Sequence, residues 1–143
     1  MASRDAPAAA RFRGAMQRVE QQHARLEAMR RDVHATLVSG SRQDIRRAVE
    51  GYSGQVEDHF ELEERAYYPS PDDVDADTAT NLAALLADHE RLRQDLIELR
   101  KQLRVGSVSD VARAFEAFTH DLSEHEALEE ATMAHLDPGP SSG

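Results

Sequence analysis

The chain has 143 residues, a formal net charge of −10 and no cysteine. This length allows one domain with a substantial core, and the missing cysteines exclude disulfides, thiolate zinc sites and iron–sulfur clusters. The negative charge argues against nucleic acid, whose binders need a basic surface. No apolar run approaches the about 20 residues of a membrane span, and residues 1–10 lack the apolar core of a signal peptide. A soluble cytoplasmic protein is therefore expected.

Glycine and proline cluster at three places and separate four long segments that are rich in helix formers. The expected helices cover residues 7–38, 42–67, 78–104 and 109–136, and residues 137–143 are expected to form a disordered tail. Ser41 with Asp44 predicts a capping box at the start of the second helix, which must end before Pro69. No strand-like alternation is present, so the sequence predicts an all-α fold. Because short connections make neighbours antiparallel, we expect residues 1–143 to form one up-down-up-down antiparallel four-helix bundle.

Each predicted helix has an apolar face whose residues recur in steps of three and four. One histidine interrupts the apolar face of every helix, and in two helices a glutamate follows it four residues later. The interrupting residues are His23, His59, Glu63, His89, His125 and Glu129. A buried polar group costs roughly 1–3 kcal/mol unless it is satisfied. Polar residues within the apolar faces of all four helices therefore indicate a common function.

The four histidines are expected to lie at one level of the bundle. Each histidine is separated from the loop at one end of its helix by a similar number of residues. At ~1.5 Å per residue, the distance from histidine to loop is about 24 Å in each helix. Glu63 and Glu129 share helix faces with His59 and His125. Four imidazoles and two carboxylates exceed what one metal ion takes and suit two ions bridged by the carboxylates. Nitrogen and oxygen ligands without sulfur favour iron or manganese over structural zinc.

Three segments carry a resemblance to the hemerythrin-like (HHE cation-binding) family. They are His59-Phe60-Glu61-Leu62-Glu63-Glu64 followed by Tyr68-Pro69, then Asp88-His89-Glu90, and finally His125-Glu126-Ala127-Leu128-Glu129-Glu130. The resemblance implies two non-heme iron ions that are bridged by carboxylates, and by an oxo or hydroxo group when ferric. It assigns His23 and His59 to one ion, His89 and His125 to the other, and Glu63 and Glu129 to the bridging positions.

The chain departs from the oxygen-carrying hemerythrins at two positions. Leu85 stands where those carriers have a second histidine, and Glu129 stands in place of an aspartate one residue later. The reduced set resembles the bacterial type. It favours a redox enzyme that acts on small oxidants, by peroxide disproportionation or peroxide-driven oxidation of NO. The alternative is a sensor, carrier or buffer of O₂, NO or iron without a chemical step, and a metal-free interaction domain is the third possibility.

Several further residues have specific expectations. Tyr52 lies two turns before His59 on the same face. It is expected to be a metal ligand or a pocket residue with a catalytic phenol, and the alternative is an ordinary tyrosine of the apolar face. Glu27 and Arg93 are expected to form an ion pair. Tyr67 shares the face of Glu63, whereas Tyr68 is expected to close the helix end. Three histidines are interpreted as non-ligands: His34, His120 and His135.

Overall fold

The computed structural model describes residues 5–136, which form four helices and no strand. The helices are α1 (Asp5–Ser39), α2 (Arg42–Leu62), α3 (Ala76–Val105) and α4 (Val108–Ala134). A π-helical turn, Glu63–Tyr67, extends α2, and a 3₁₀ turn, Pro71–Asp73, lies in the following loop. The predicted all-α four-helix bundle is confirmed, while the predicted tail, residues 137–143, lies outside the described residues. None of the helices within residues 5–136 is long and apolar enough to cross a membrane.

Side-chain caps set the starts of three helices. The predicted capping box is present: the hydroxyl of Ser41 accepts from the Asp44 amide at 3.1 Å, and the Asp44 carboxylate accepts from the Ser41 amide at 3.3 Å. Ser107 and Asp110 form the same box before α4, and the Asp75 carboxylate caps α3. These caps satisfy backbone amides that lack a partner in the first turn. They also explain why α3 and α4 begin slightly earlier than the sequence predicted.

Each helix packs against two neighbours, and α1 and α3 lie diagonally across the bundle. The core consists of two apolar clusters. The larger one includes Leu26, Val56, Phe60, Leu92, Leu96, Phe115 and Phe118, and the smaller one includes Ala15, Val19, Leu62, Leu82, Leu85 and Met133. Leu85, the position that departs from the oxygen carriers, is fully buried in the smaller cluster. The buried polar residues of the next section belong to neither cluster.

Candidate metal centre

The structure brings all six predicted ligands together in the bundle core. Five of them are 2% exposed or less, namely His59, Glu63, His89, His125 and Glu129. His23 is the accessible member, with 30% of its side chain exposed. Because each of the four helices contributes to this group, the bundle must be folded before the group exists.

Glu63 directs its two oxygens toward different histidines. Its Oε2 lies 3.2 Å from Nε2 of His59 and 4.0 Å from Nε2 of His23. Its Oε1 lies 3.0 Å from Nε2 of His89. The carboxylate of Glu63 therefore faces His23 and His59 with one oxygen and His89 with the other.

Glu129 is arranged in the same way. Its Oε1 lies 3.7 Å from Nε2 of His23, and its Oε2 lies 3.6 Å from Nε2 of His125. The donor atoms divide into two sets, each with all atoms within 4.8 Å of one another and each able to hold a metal ion. One set is His23, His59, Glu63 and Glu129, and the other is Glu63, His89, His125 and Glu129. The two sets share both carboxylates.

Three of the imidazoles are oriented by an acceptor on the far side of the ring. The Nδ1 atoms of His59, His89 and His125 lie 2.7, 2.6 and 3.1 Å from Gln22 Oε1, Glu64 Oε2 and Asp88 Oδ2, respectively. Since the ionised carboxylate of Glu64 only accepts, Nδ1 of His89 carries the proton and Nε2 presents a lone pair to the centre. Burial disfavours the charged form of His125, but hydrogen bonds to Glu129 and Asp88 raise the pKa of this ring. Burial lowers the pKa of His59 to about 3 and that of His89 to about 4, so both rings are neutral at neutral pH. Neutral imidazole held in this way is the form that binds a metal.

The donor atoms fit a cation better than they fit one another. Nε2 of His23 and Oε2 of Glu63 are buried without a hydrogen-bond partner, at a cost of about 1–3 kcal/mol for each such atom. Burial, followed by the nearby Glu129 carboxyl, raises the pKa of Glu63 well above its ordinary value. A cation between the imidazole lone pairs and the carboxylates offsets all of these costs. The residues present therefore fit a metal.

Residues 15–136 match the family model described as hemerythrin HHE cation binding domain. The chain belongs to this family. The matched range contains all six of the convergent side chains, so the HHE match and the geometry identify the same part of the molecule. Neither a comparison with curated proteins nor one with solved structures finds a match for the chain.

We expect Glu64→Ala to weaken metal binding by about 10- to 100-fold, because it removes the acceptor that orients His89 in the HHE domain. Glu64 also pairs with Arg93 at 3.0 Å, which holds the carboxylate in place. The measurement is metal affinity by competition with a chelator. Glu61→Ala is the matched control, since its carboxylate is 68% exposed and pairs only locally, with Arg65 at 3.3 Å. Equal affinity in both variants would show that orientation of His89 is unimportant.

Tyr68 enters the centre of the HHE domain, although its position in the sequence predicted only the end of a helix. Its amide donates to the carbonyl of Glu63 at 2.8 Å and so closes the π-helical turn, as expected for the helix end. Its phenol, however, donates to Oε2 of Glu129 at 2.6 Å. In an α-helix the fifth residue after Glu63 points away from it, whereas the wider π turn returns this residue to the same face. Tyr67, which α-helical spacing placed on that face, stacks on Phe12 with ring centroids 5.5 Å apart.

Tyr52 lies deeper in the bundle than Tyr68 and belongs to the larger apolar cluster. Its ring makes edge contacts with Phe115 and Phe118, at centroid distances of 5.4 and 6.1 Å. Tyr52 is also in the wall of a cavity of about 470 Å³ between α1 and α4, which His23 lines as well. Burial raises the pKa of the Tyr52 phenol above its ordinary value. The structure therefore places Tyr52 in the wall of the same cavity as His23 and outside both donor sets.

The prediction of an ion pair between Glu27 and Arg93 is wrong. Glu27 pairs with Arg30 at 2.6 Å and with Arg31 at 3.4 Å, while Arg93 pairs with Glu64. The reason is the diagonal placement of α1 and α3, because partners on the same helix or on an adjacent helix lie closer than partners across the diagonal.

The three histidines interpreted as non-ligands, His34, His120 and His135, are all exposed. His120 forms a third group with Asp121 and Glu124 on the surface of α4, where the donor atoms lie within 4.8 Å of one another but only Asp121 is partly buried.

Proposed function

We propose that this chain holds two non-heme iron ions, bridged by carboxylates, and that it reacts with small oxidants. His23 and His59 bind one ion, His89 and His125 bind the other, and Glu63 and Glu129 bridge them. The observation that carries the proposal is the sharing of both carboxylates between two histidine pairs, since each directs one oxygen to each pair. Ligands of nitrogen and oxygen without sulfur suit iron.

We infer a cytoplasmic redox enzyme of the bacterial type that acts on peroxide, or on NO with peroxide. The donor sets and the cavity beside His23 support the reaction with small oxidants. Reduced iron, when bound, supplies electrons to small oxidants. The chain's own part is to exclude bulk water with the two apolar clusters and to admit small molecules through the cavity beside His23. Leu85 stands where the oxygen carriers have a further histidine, and this reduced ligand set favours turnover over reversible binding.

The test is iron loading under anaerobic conditions, followed by metal analysis and a peroxide challenge. We expect about two irons per chain, near-ultraviolet absorption of a bridged ferric pair after oxidation, and removal of many equivalents of peroxide without loss of iron. The control is His59→Ala, which removes one buried ligand. Two bound irons that form a stable adduct with O₂ or NO but do not turn over peroxide would instead establish a sensor, carrier or buffer. Failure of a folded chain to retain iron would overturn the proposed function.

A further inference from the structure

We propose that the phenol oxygen of Tyr68 is a direct ligand of the ion held by His89 and His125. This inference rests on the proposed function, because it assigns one more ligand to the same centre. It makes the centre asymmetric: one ion has a tyrosine in addition to its two histidines, and the other does not.

The position of the Tyr68 oxygen is that of a ligand. Oη lies 3.3 Å from Nε2 of His89, 3.5 Å from Nε2 of His125 and 2.6 Å from Oε2 of Glu129. Two ligands that are each about 2.1 Å from one ion and at a right angle to one another lie about 3 Å apart. The phenol oxygen is thus spaced from three members of one donor set as those members would be spaced around a common ion.

Hydrogen bonding alone does not account for this position. Tyr68 has one hydroxyl proton, and the short contact shows that Glu129 receives it. Glu64 accepts from Nδ1 of His89, so Nε2 of the neutral His89 ring has no proton to offer to the phenol oxygen. Nε2 of His89 and the phenol oxygen of Tyr68 therefore present lone pairs to the same space, beside Oε2 of Glu129, where a cation would be attracted to all three atoms.

The phenol is held in this place by packing. The ring of Tyr68 stacks on His89 with a centroid distance of 5.5 Å and an interplanar angle of 22°, and the ring of Phe60 also stacks on His89, at 4.2 Å. The π-helical turn fixes the backbone of Tyr68 one turn from Glu63. Because the ring and its backbone are both fixed, the oxygen cannot leave the centre without a rearrangement of α2.

A consequence follows for where small molecules bind. Tyr68 fills the side of the centre at His89 and His125, while the cavity reaches the opposite side at His23. The accessible coordination position is therefore that of the ion between His23 and His59. When the phenol oxygen binds iron, its proton passes to solvent, as metal binding by a protonated ligand requires.

The test uses the three tyrosines of the chain, Tyr52, Tyr67 and Tyr68, each replaced by phenylalanine in turn. A tyrosine bound to ferric iron produces a charge-transfer absorption at longer wavelength than the bridged ferric pair, together with metal-bound tyrosinate modes in the resonance Raman spectrum. We expect the iron-loaded, oxidised chain to show both signals, Tyr68→Phe to lose them, and the other two variants to keep them. Phenylalanine retains the ring that stacks on His89, and circular dichroism with a thermal melt checks that each variant is folded.

The outcomes separate this inference from the proposed function. Two irons with bridged-pair absorption but no tyrosinate signal would overturn the inference and leave the proposed function intact. Loss of the signal in Tyr52→Phe, with retention in Tyr68→Phe, would overturn it in favour of Tyr52 as the ligand. A folded chain that retains no iron would overturn both.

Discussion

If the chain holds the two iron ions that we propose, Glu63→Gln is expected to reduce the iron retained to fewer than one ion per chain. Glutamine preserves the size of the side chain but replaces one carboxylate oxygen with an amide NH₂, which cannot bind a metal. Glu63 is the side chain whose oxygens reach His59 on one side and His89 on the other. Loss of one carboxylate oxygen of Glu63 therefore removes a ligand from one ion and, with it, the bridge between the two ions. We expect a loss of affinity beyond the about 100-fold that removal of an orienting partner can cause.

Without iron, the Glu63→Gln variant should not lose stability, although it binds iron more weakly than the parent. Glu63 is 1% exposed, and its Oε2 has no hydrogen-bond partner. Replacing a buried carboxyl, one oxygen of which lacks a partner, with a neutral amide leaves the iron-free chain at least as stable as the parent. The measurements are iron content after gel filtration and chemical unfolding with and without iron. Glu61→Gln, on the exposed side of α2, is the control and should change neither. Full iron retention by Glu63→Gln would contradict the bridging role.

Removal of iron is expected to lower the melting temperature by about 10 °C or more. A ligand that binds only the folded state stabilises it by about 4 kcal/mol at a concentration 1,000 times its dissociation constant. A change of 1 kcal/mol corresponds to about 3 °C for a domain of this size. The physical cause is the group of imidazoles and carboxylates at the core, whose cost of burial a cation offsets.

This prediction is checked by calorimetry of the iron-loaded chain before and after treatment with a chelator. His59→Ala serves as the first control, because a chain that cannot complete the centre should melt at the same temperature in both states. His34→Ala serves as the second, since His34 is exposed and belongs to none of the groups within residues 5–136 that could hold a metal, and the variant should keep the full difference. If the parent chain melts at one temperature whether or not iron is bound, the centre contributes nothing to stability.

The sequence by itself determined the fold class and the group of convergent residues. Apolar periodicity defined four helices, and the loops between them set the level at which His23, His59, His89 and His125 meet. These features are local: helical spacing decides which residues share a face, and Ser41 with Asp44 decides where α2 begins. An interruption that recurs at one level of all four faces is visible without knowledge of any contact.

The tertiary structure decided what surrounds those residues. The orienting contacts of Gln22, Glu64 and Asp88 join different helices, so their distances depend on helix rotation and separation, which periodicity does not specify. The pairing of Arg93 with Glu64 depended on which helices are neighbours. The place of Tyr68 depended on a π-helical turn, because one additional residue per turn changes the face on which every later side chain lies. An α-helical count carries no signal of that turn, and so the phenol at the centre became visible only in the folded chain.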